Sequence, residues 1–142
     1  WVATISVVRY LYPNAQPYSH YDASELSASL RLDDRLALSA AVSPDAKRYS
    51  VQGWSPRGQT RAYEASLRQP VFGPASIVAA VGYYDTQALL GESYRAWDGG
   101  VSTRAGPFDL GLLRFGVDAA ARRLFGSDAA DGRWVFTAAW RF

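Results

Sequence analysis

The last eleven residues, 132–142, constrain the fold of this chain more than any other stretch. Counting back in twos from the final residue gives only apolar side chains, most of them aromatic: Phe142, Trp140, Ala138, Phe136 and Trp134. The intervening side chains are small or cationic, apart from one valine: Arg141, Ala139, Thr137, Val135 and Arg133. Because a strand directs alternate side chains to opposite faces, this segment is predicted to have one apolar, aromatic face and one largely polar face.

Two kinds of structure use such a strand. One is the edge of an ordinary amphipathic sheet, and the other is a transmembrane β-barrel with aromatic residues towards lipid and polar residues inward. The ending resembles the C-terminal recognition strand of bacterial outer-membrane barrels, which typically finishes on Phe. This resemblance implies that Trp134, Phe136, Trp140 and Phe142 form a signal read by the outer-membrane assembly machinery.

Composition excludes several classes of protein. The formal net charge is only +2, so no general basic field indicates a nucleic-acid partner. Cys is absent, which excludes thiolate metal sites and disulfides. No apolar run approaches the roughly 20 residues of a membrane helix. A membrane location would therefore require a barrel.

The same two-residue alternation recurs along the chain and predicts eight strands. We predict strands over 1–11, 22–32, 36–43, 60–71, 75–84, 93–104, 107–117 and 132–142. For the two leucine-rich faces flanking residues 33–35 to coincide, Leu32 must lie opposite Leu36 across a three-residue turn. A β-bulge is predicted at Leu112–Leu113, since Arg114 would otherwise lie on the apolar face.

The predicted connections alternate between long and short. Long loops are expected over 12–21, 44–59, 85–92 and 118–131, with a short strand extension at 49–53. Short turns are expected at 33–35, 72–74 and 105–106. Short periplasmic turns and long extracellular loops are typical of outer-membrane barrels.

The sequence therefore predicts one domain, 1–142, folded as an all-β, antiparallel, up-and-down transmembrane barrel. Its lipid face would include Leu30, Leu38, Leu67, Val81 and Trp140. Aromatic residues near the outer strand ends, Tyr94 and Trp97 among them, are expected to form an interfacial girdle. The alternative is a soluble lipocalin-like barrel with its apolar residues inside. The Ala, Ser and Gly of the other face would cover a soluble surface poorly.

Several motifs together resemble one family of bacterial proteins. They are Arg9-Tyr-Leu-Tyr-Pro13, Tyr21 with Glu25, Gly82-Tyr-Tyr-Asp85, Tyr94-Arg-Ala-Trp-Asp98-Gly-Gly-Val-Ser102 and Trp140-Arg-Phe142. This order is similar to that of the TorF-like porins, uncharacterised proteobacterial outer-membrane proteins. The resemblance implies passage of small solutes and a larger barrel, of about twelve strands, of which this chain would be the C-terminal part. The residues themselves leave open whether eight strands close alone.

Charged residues on the polar face are the candidate site. The predicted lumen-facing charges are Glu25, Arg31, Glu64, Arg68, Asp98, Arg104, Asp109, Arg133 and Arg141. Four of the arginines, Arg31, Arg68, Arg104 and Arg141, come just before the inner ends of alternate strands. They predict a ring of positive charge at the periplasmic mouth, with Asp109 as the counter-ion beside Arg104.

Catalytic and metal chemistry is not expected. His20 is the only histidine, and although Ser19 and Asp22 are nearby, residues adjacent in sequence rarely converge into a triad. Asp33 and Asp34 fit turn chemistry better than a cation site. We therefore predict no enzymatic activity, cofactor or metal.

The predicted function is that of a porin or narrow channel for small solutes, favouring anions, in the bacterial outer membrane. The alternative is a plugged structural barrel of a cell-envelope complex, which acts through its extracellular loops. Expected partners are membrane lipid and lipopolysaccharide, the assembly machinery and other envelope proteins.

Overall fold

A computed structural model describes residues 1–11, 23–47, 49–50, 53–54, 57–126 and 132–140. Within these ranges the chain is all-β with two short helices. The elements are β1 (Val2–Tyr10), β2 (Ala23–Leu32), β3 (Leu36–Ala46), β4 (Tyr49–Ser50), β5 (Gly53–Trp54), β6 (Gly58–Phe72), β7 (Ala75–Asp85), α1 (Gln87–Leu90), β8 (Tyr94–Ala105), β9 (Phe108–Val117), α2 (Ala119–Phe125) and β10 (Arg133–Trp140).

Eight strands form one antiparallel sheet in the order β1-β2-β3-β6-β7-β8-β9-β10. Each long strand therefore pairs with the next long strand along the chain, which confirms the predicted up-and-down order and strand number. β4 and β5 form a separate two-stranded hairpin. β1 and β10 are the two edges, and among the described residues they do not pair, so the sheet is not closed.

The three short turns set the register. Leu32 lies opposite Leu36 across residues 33–35, as predicted. The other turns are Gly73–Pro74 and Gly106–Pro107, each one residue away from a predicted boundary. Gly73 and Gly106 have φ of +50° and +59°, and glycine at the first central position is what a type II′ hairpin turn requires. The following proline suits the negative φ of the second position.

The register separates two faces across the whole sheet. The apolar face carries Ile5, Leu30, Leu38, Leu67, Val81, Val101, Leu112 and Phe136, one from each strand. The polar face carries Ser, Thr, Ala and Gly together with most of the charges predicted for a lumen. The apolar face is exposed: relative accessibility is 77% for Ile5, 53% for Val81 and 67% for Phe136.

Few side chains are buried. Ala121 and Ser76 are the only non-glycine residues in the buried class among those described. No large side chain in the described part of the chain is fully buried. Within the described ranges, no second layer packs against the apolar face of the sheet, whereas a soluble sandwich would need one.

The predicted β-bulge at Leu112–Leu113 is wrong. The pairing of β9 with β8 and with β10 runs without a shift through these residues. Arg114 therefore lies on the apolar face, directly opposite Trp134. Its guanidinium carbon is 5.8 Å from the Trp134 ring centroid. This cation–π contact at the end of the sheet nearest the long loops removes the reason for a bulge.

The long connections contain more structure than predicted. The 85–92 and 118–131 loops hold α1 and α2, and the 44–59 loop holds the β4–β5 hairpin instead of one strand extension. Asp118 caps α2, since its Oδ1 accepts from Ala121 N at 3.0 Å. Loop 12–21, with His20, lies outside the described residues. No helix in the described ranges combines the length and apolarity needed to cross a bilayer.

Trp97 lies across Gly116 on the apolar face. The two residues are opposite in the β8–β9 ladder, and a Cβ at Gly116 would be 2.2 Å from the Trp97 ring. We expect Gly116→Val to destabilise the fold by about 1–3 kcal/mol, because the indole must leave its place over the backbone.

Gly99→Val is the matched control, since a Cβ there would meet only Val78 O at 3.8 Å. Urea unfolding in detergent micelles measures both variants. Equal stability of the two would show that the Trp97 ring does not pack on Gly116.

Candidate functional site

A cavity of about 980 Å³ opens on the polar face at the end of the sheet nearest the short turns. Seven of the eight long strands line it, from Arg31 on β2 to Thr137 on β10. The sheet must therefore curl around its polar face, since otherwise β2 and β10 could not line one space. Small residues such as Ala37, Ser66 and Gly111 leave this space open.

The cavity lining is rich in arginine. It contains Arg31, Arg35, Arg68 and Arg104, together with Asp34, Asp98 and Asp109. Four cations against three carboxylates leave a formal charge of +1. The structure thus brings together three arginines that the sequence placed at one depth on separate strands. Arg35 and Asp34 were not predicted, although their position beside Arg31 in the adjoining turn was a usable signal.

Arg104 and Asp109 form an ion pair across the β8–β9 hairpin. They lie opposite in register, and Arg104 Nε donates to Asp109 Oδ1 at 3.2 Å. This confirms Asp109 as the counter-ion of Arg104. The predicted fourth arginine, Arg141, lies outside the described residues, as does Phe142.

Arg68 has a neutral partner. Its Nε donates to Ser76 Oγ at 3.4 Å, and Ser76 is only 5% exposed. Its backbone N–H donates to Arg35 O at 2.6 Å, which ties β6 to the neighbouring turn. Within the described residues, Arg31, Arg35 and Arg68 form no ion pair.

Acidic residues lie further towards the loops. A second cavity of about 450 Å³ is lined by Glu64, Tyr84 and Asp98, and Asp98 lines the first cavity too. Glu64 Oε1 accepts from the Tyr84 hydroxyl at 2.7 Å. Charge along the polar face therefore changes from cationic at the turn end to acidic near its middle. Glu25 and Arg133 also lie on the polar face but line neither cavity.

An aromatic cluster covers part of the loop end of the polar face. Tyr84 stacks on Tyr94 with ring centroids 4.9 Å apart, and Phe125 of α2 meets Tyr94 edge-on at 5.2 Å. Tyr94 is thus on the polar face and not in the interfacial girdle predicted for it. Sequence reasoning missed the cluster, because Phe125 reaches Tyr94 only through the position of α2.

Ionic contacts hold α2 against the neighbouring loop. Arg123 Nε donates to Glu92 Oε2 at 3.2 Å, and a second Arg123–Glu92 contact completes a bidentate pair. The hydrogen bond from Arg123 lowers the pKa of the Glu92 carboxyl below its ordinary value. Asp118 Oδ2 accepts from Arg95 N at 3.0 Å and fixes the start of α2 to β8.

The described residues contain no group of three or more His, Cys, Asp or Glu side chains arranged to hold a metal ion. Comparisons of the chain with protein-family models, curated proteins and solved structures find no match. The resemblance to TorF-like porins stays a prediction.

Proposed function

We propose that this chain forms a transmembrane β-barrel, or part of one, in the bacterial outer membrane and passes small solutes with a preference for anions. The observation that carries the membrane part is the exposed apolar face, which extends over all eight strands. With strands about 4.8 Å apart and a rise of about 3.3 Å per residue, such a face covers on the order of 1,000 Å². Soluble monomers rarely expose contiguous apolar patches above a few hundred Å².

Hydrocarbon is the cover that fits this face best. Leaving it in water would forgo about 25 kcal/mol, at about 25 cal/mol per Å². A lipid bilayer covers all strands of a curled sheet at once, and the ladder already satisfies the interior backbone groups. In a bilayer, β1 and β10 must pair with each other or with further strands, because open edges are not tolerated there.

The cavities support solute passage. Both lie on the face opposite the apolar one, and they share Asp98 in their linings. Small side chains leave this side of the sheet incompletely filled. Among the described residues, Arg31, Arg35 and Arg68 line the cavity at the turn end without forming an ion pair, and the lining has a formal charge of +1, which would raise the local concentration of anions.

The second candidate is a plugged barrel that acts through its loops. The cluster of Tyr84, Tyr94 and Phe125, together with the Arg123–Glu92 pair, favours it. These contacts anchor α2 at the loop end, where it would present an ordered surface to other envelope proteins.

Conductance in planar lipid bilayers separates the two candidates. Purified protein that is inserted and folded should give discrete conductance steps if it forms a pore. Inserted protein without steps would favour the plugged barrel. The variant Tyr94→Ala with Phe125→Ala should then give conductance steps, since it removes the aromatic contact that helps the Arg123–Glu92 pair to hold α2 over the polar face.

A further inference from the structure

Charge on the apolar face is confined to the end nearest the long loops. Arg9, Arg61, Arg95 and Arg114 all lie on this face, each within the four strand residues closest to a loop. At the opposite end, the described residues of the same face carry no charge and include Leu32, Ile77, Phe108 and Trp140. The two ends of the apolar face therefore suit different surroundings.

Arg9 is neutralised, whereas the other three arginines are not. Arg9 Nη1 lies 2.6 Å from Asp45 Oδ2. Arg61, Arg95 and Arg114 are exposed and form no ion pair among the described residues. Arg61 donates to Gln59 Oε1 at 3.2 Å, a neutral partner.

Two aspartates lie beside these three arginines. Asp85 lies opposite Arg61 and accepts a hydrogen bond from Ser93 Oγ at 3.1 Å. The other is Asp118, whose backbone N–H donates to Arg95 O at 3.1 Å and whose Oδ2 accepts from Arg95 N at 3.0 Å. Three arginines against two aspartates leave an excess of positive charge across β6–β9.

Aromatic side chains are interleaved with these arginines. Tyr83 lies opposite Arg95, Trp97 lies two residues further along β8, and Trp134 lies opposite Arg114. Their relative accessibilities are 39%, 47% and 61%. We call Arg61, Arg95, Arg114, Tyr83, Trp97 and Trp134 the loop-end arginine patch.

We propose that the loop-end arginine patch binds the phosphate groups of anionic lipid headgroups in the surrounding leaflet. Arginine forks hydrogen-bond phosphate oxygens in a bidentate manner, and the aromatic rings occupy the boundary between headgroups and acyl chains. The adjoining apolar face would hold the acyl chains of the same lipid. This inference rests on the membrane location proposed above but not on the presence of a pore.

The test uses the whole chain reconstituted in phosphatidylcholine vesicles. Spin-labelled phosphatidic acid and spin-labelled phosphatidylcholine report the relative association of each lipid with the protein. The wild type should prefer phosphatidic acid, and Arg95→Gln with Arg114→Gln should reduce that preference by about fivefold for each arginine removed.

Arg31→Gln with Arg104→Gln is the matched control, because it removes the same charge from the polar face. This control variant should keep the preference for phosphatidic acid and change the ion selectivity. The patch variant, Arg95→Gln with Arg114→Gln, should lose the preference and keep the ion selectivity. An equal loss of preference in both variants, or no preference in the wild type, would overturn the inference. If the lipid preference depends on the loop-end arginine patch but the protein gives no conductance, the lipid-binding inference stands and only the pore is rejected.

Discussion

Arg68→Glu combined with Arg104→Glu should change the sign of the reversal potential measured in a KCl gradient. The substitutions convert a cavity lining of four arginines and three aspartates into one of two arginines and five carboxylates. In the wild type, Arg104 Nε donates to Asp109 Oδ1 at 3.2 Å. Arg104→Glu replaces this cation with a second carboxylate beside Asp109. After screening by salt, we expect the ratio of cation to anion permeability to rise roughly tenfold.

Arg57→Glu with Arg122→Glu provides the charge-matched control. Both residues are exposed and line neither cavity, so this variant should keep the wild-type selectivity. The same reversal potential in both double variants would mean that the turn-end cavity is not on the conducting path. The wild type could instead lack conductance while Arg68→Glu with Arg104→Glu loses stability. That result would indicate a plugged interior, in which the substitutions leave like charges unpaired.

Val81→Arg should cost about 2–4 kcal/mol of unfolding free energy in lipid vesicles, the range for a cation near the bilayer midplane of a barrel. Val81 lies near the middle of β7 on the apolar face and is 53% exposed. In water, a substitution at so exposed a position typically changes stability by only about 0.5 kcal/mol. The size of the effect therefore reports whether hydrocarbon or water covers this face.

Val71→Arg is the control for depth. Val71 is 52% exposed, almost the same as Val81, but it lies at the irregularity in the ladder between Pro70 and Phe72, next to the Gly73–Pro74 turn. Its substitution should cost about 0–1 kcal/mol, because an arginine at that depth reaches the interface. Urea titration in vesicles, followed by tryptophan fluorescence, measures both. Small and equal effects would argue that the apolar face is not in lipid.

Much of the sheet could be predicted from local sequence alone. The two-residue period assigns each strand residue to a face wherever the alternation is regular, as in β2, β3 and β7. The length of the 33–35 turn then follows from the need to keep Leu32 and Leu36 on one face, and the structure has that register. Three of the four arginines that line the cavity, Arg31, Arg68 and Arg104, were predicted in the same way, from matched positions on separate strands.

Contacts between segments distant in sequence decided the remainder. An arginine on the apolar face contradicts the alternation of β9, and only the pairing with β10 supplies Trp134, over which Arg114 lies. Likewise, the curl of the sheet determines that Arg35 joins the cavity, and the position of α2 determines that Phe125 meets Tyr94. Alternation is a property of one strand, whereas partners, cavities and clusters depend on which strands and helices lie side by side. The sequence by itself therefore determined the two faces and the strand order, and the tertiary structure decided which charges and aromatic rings meet.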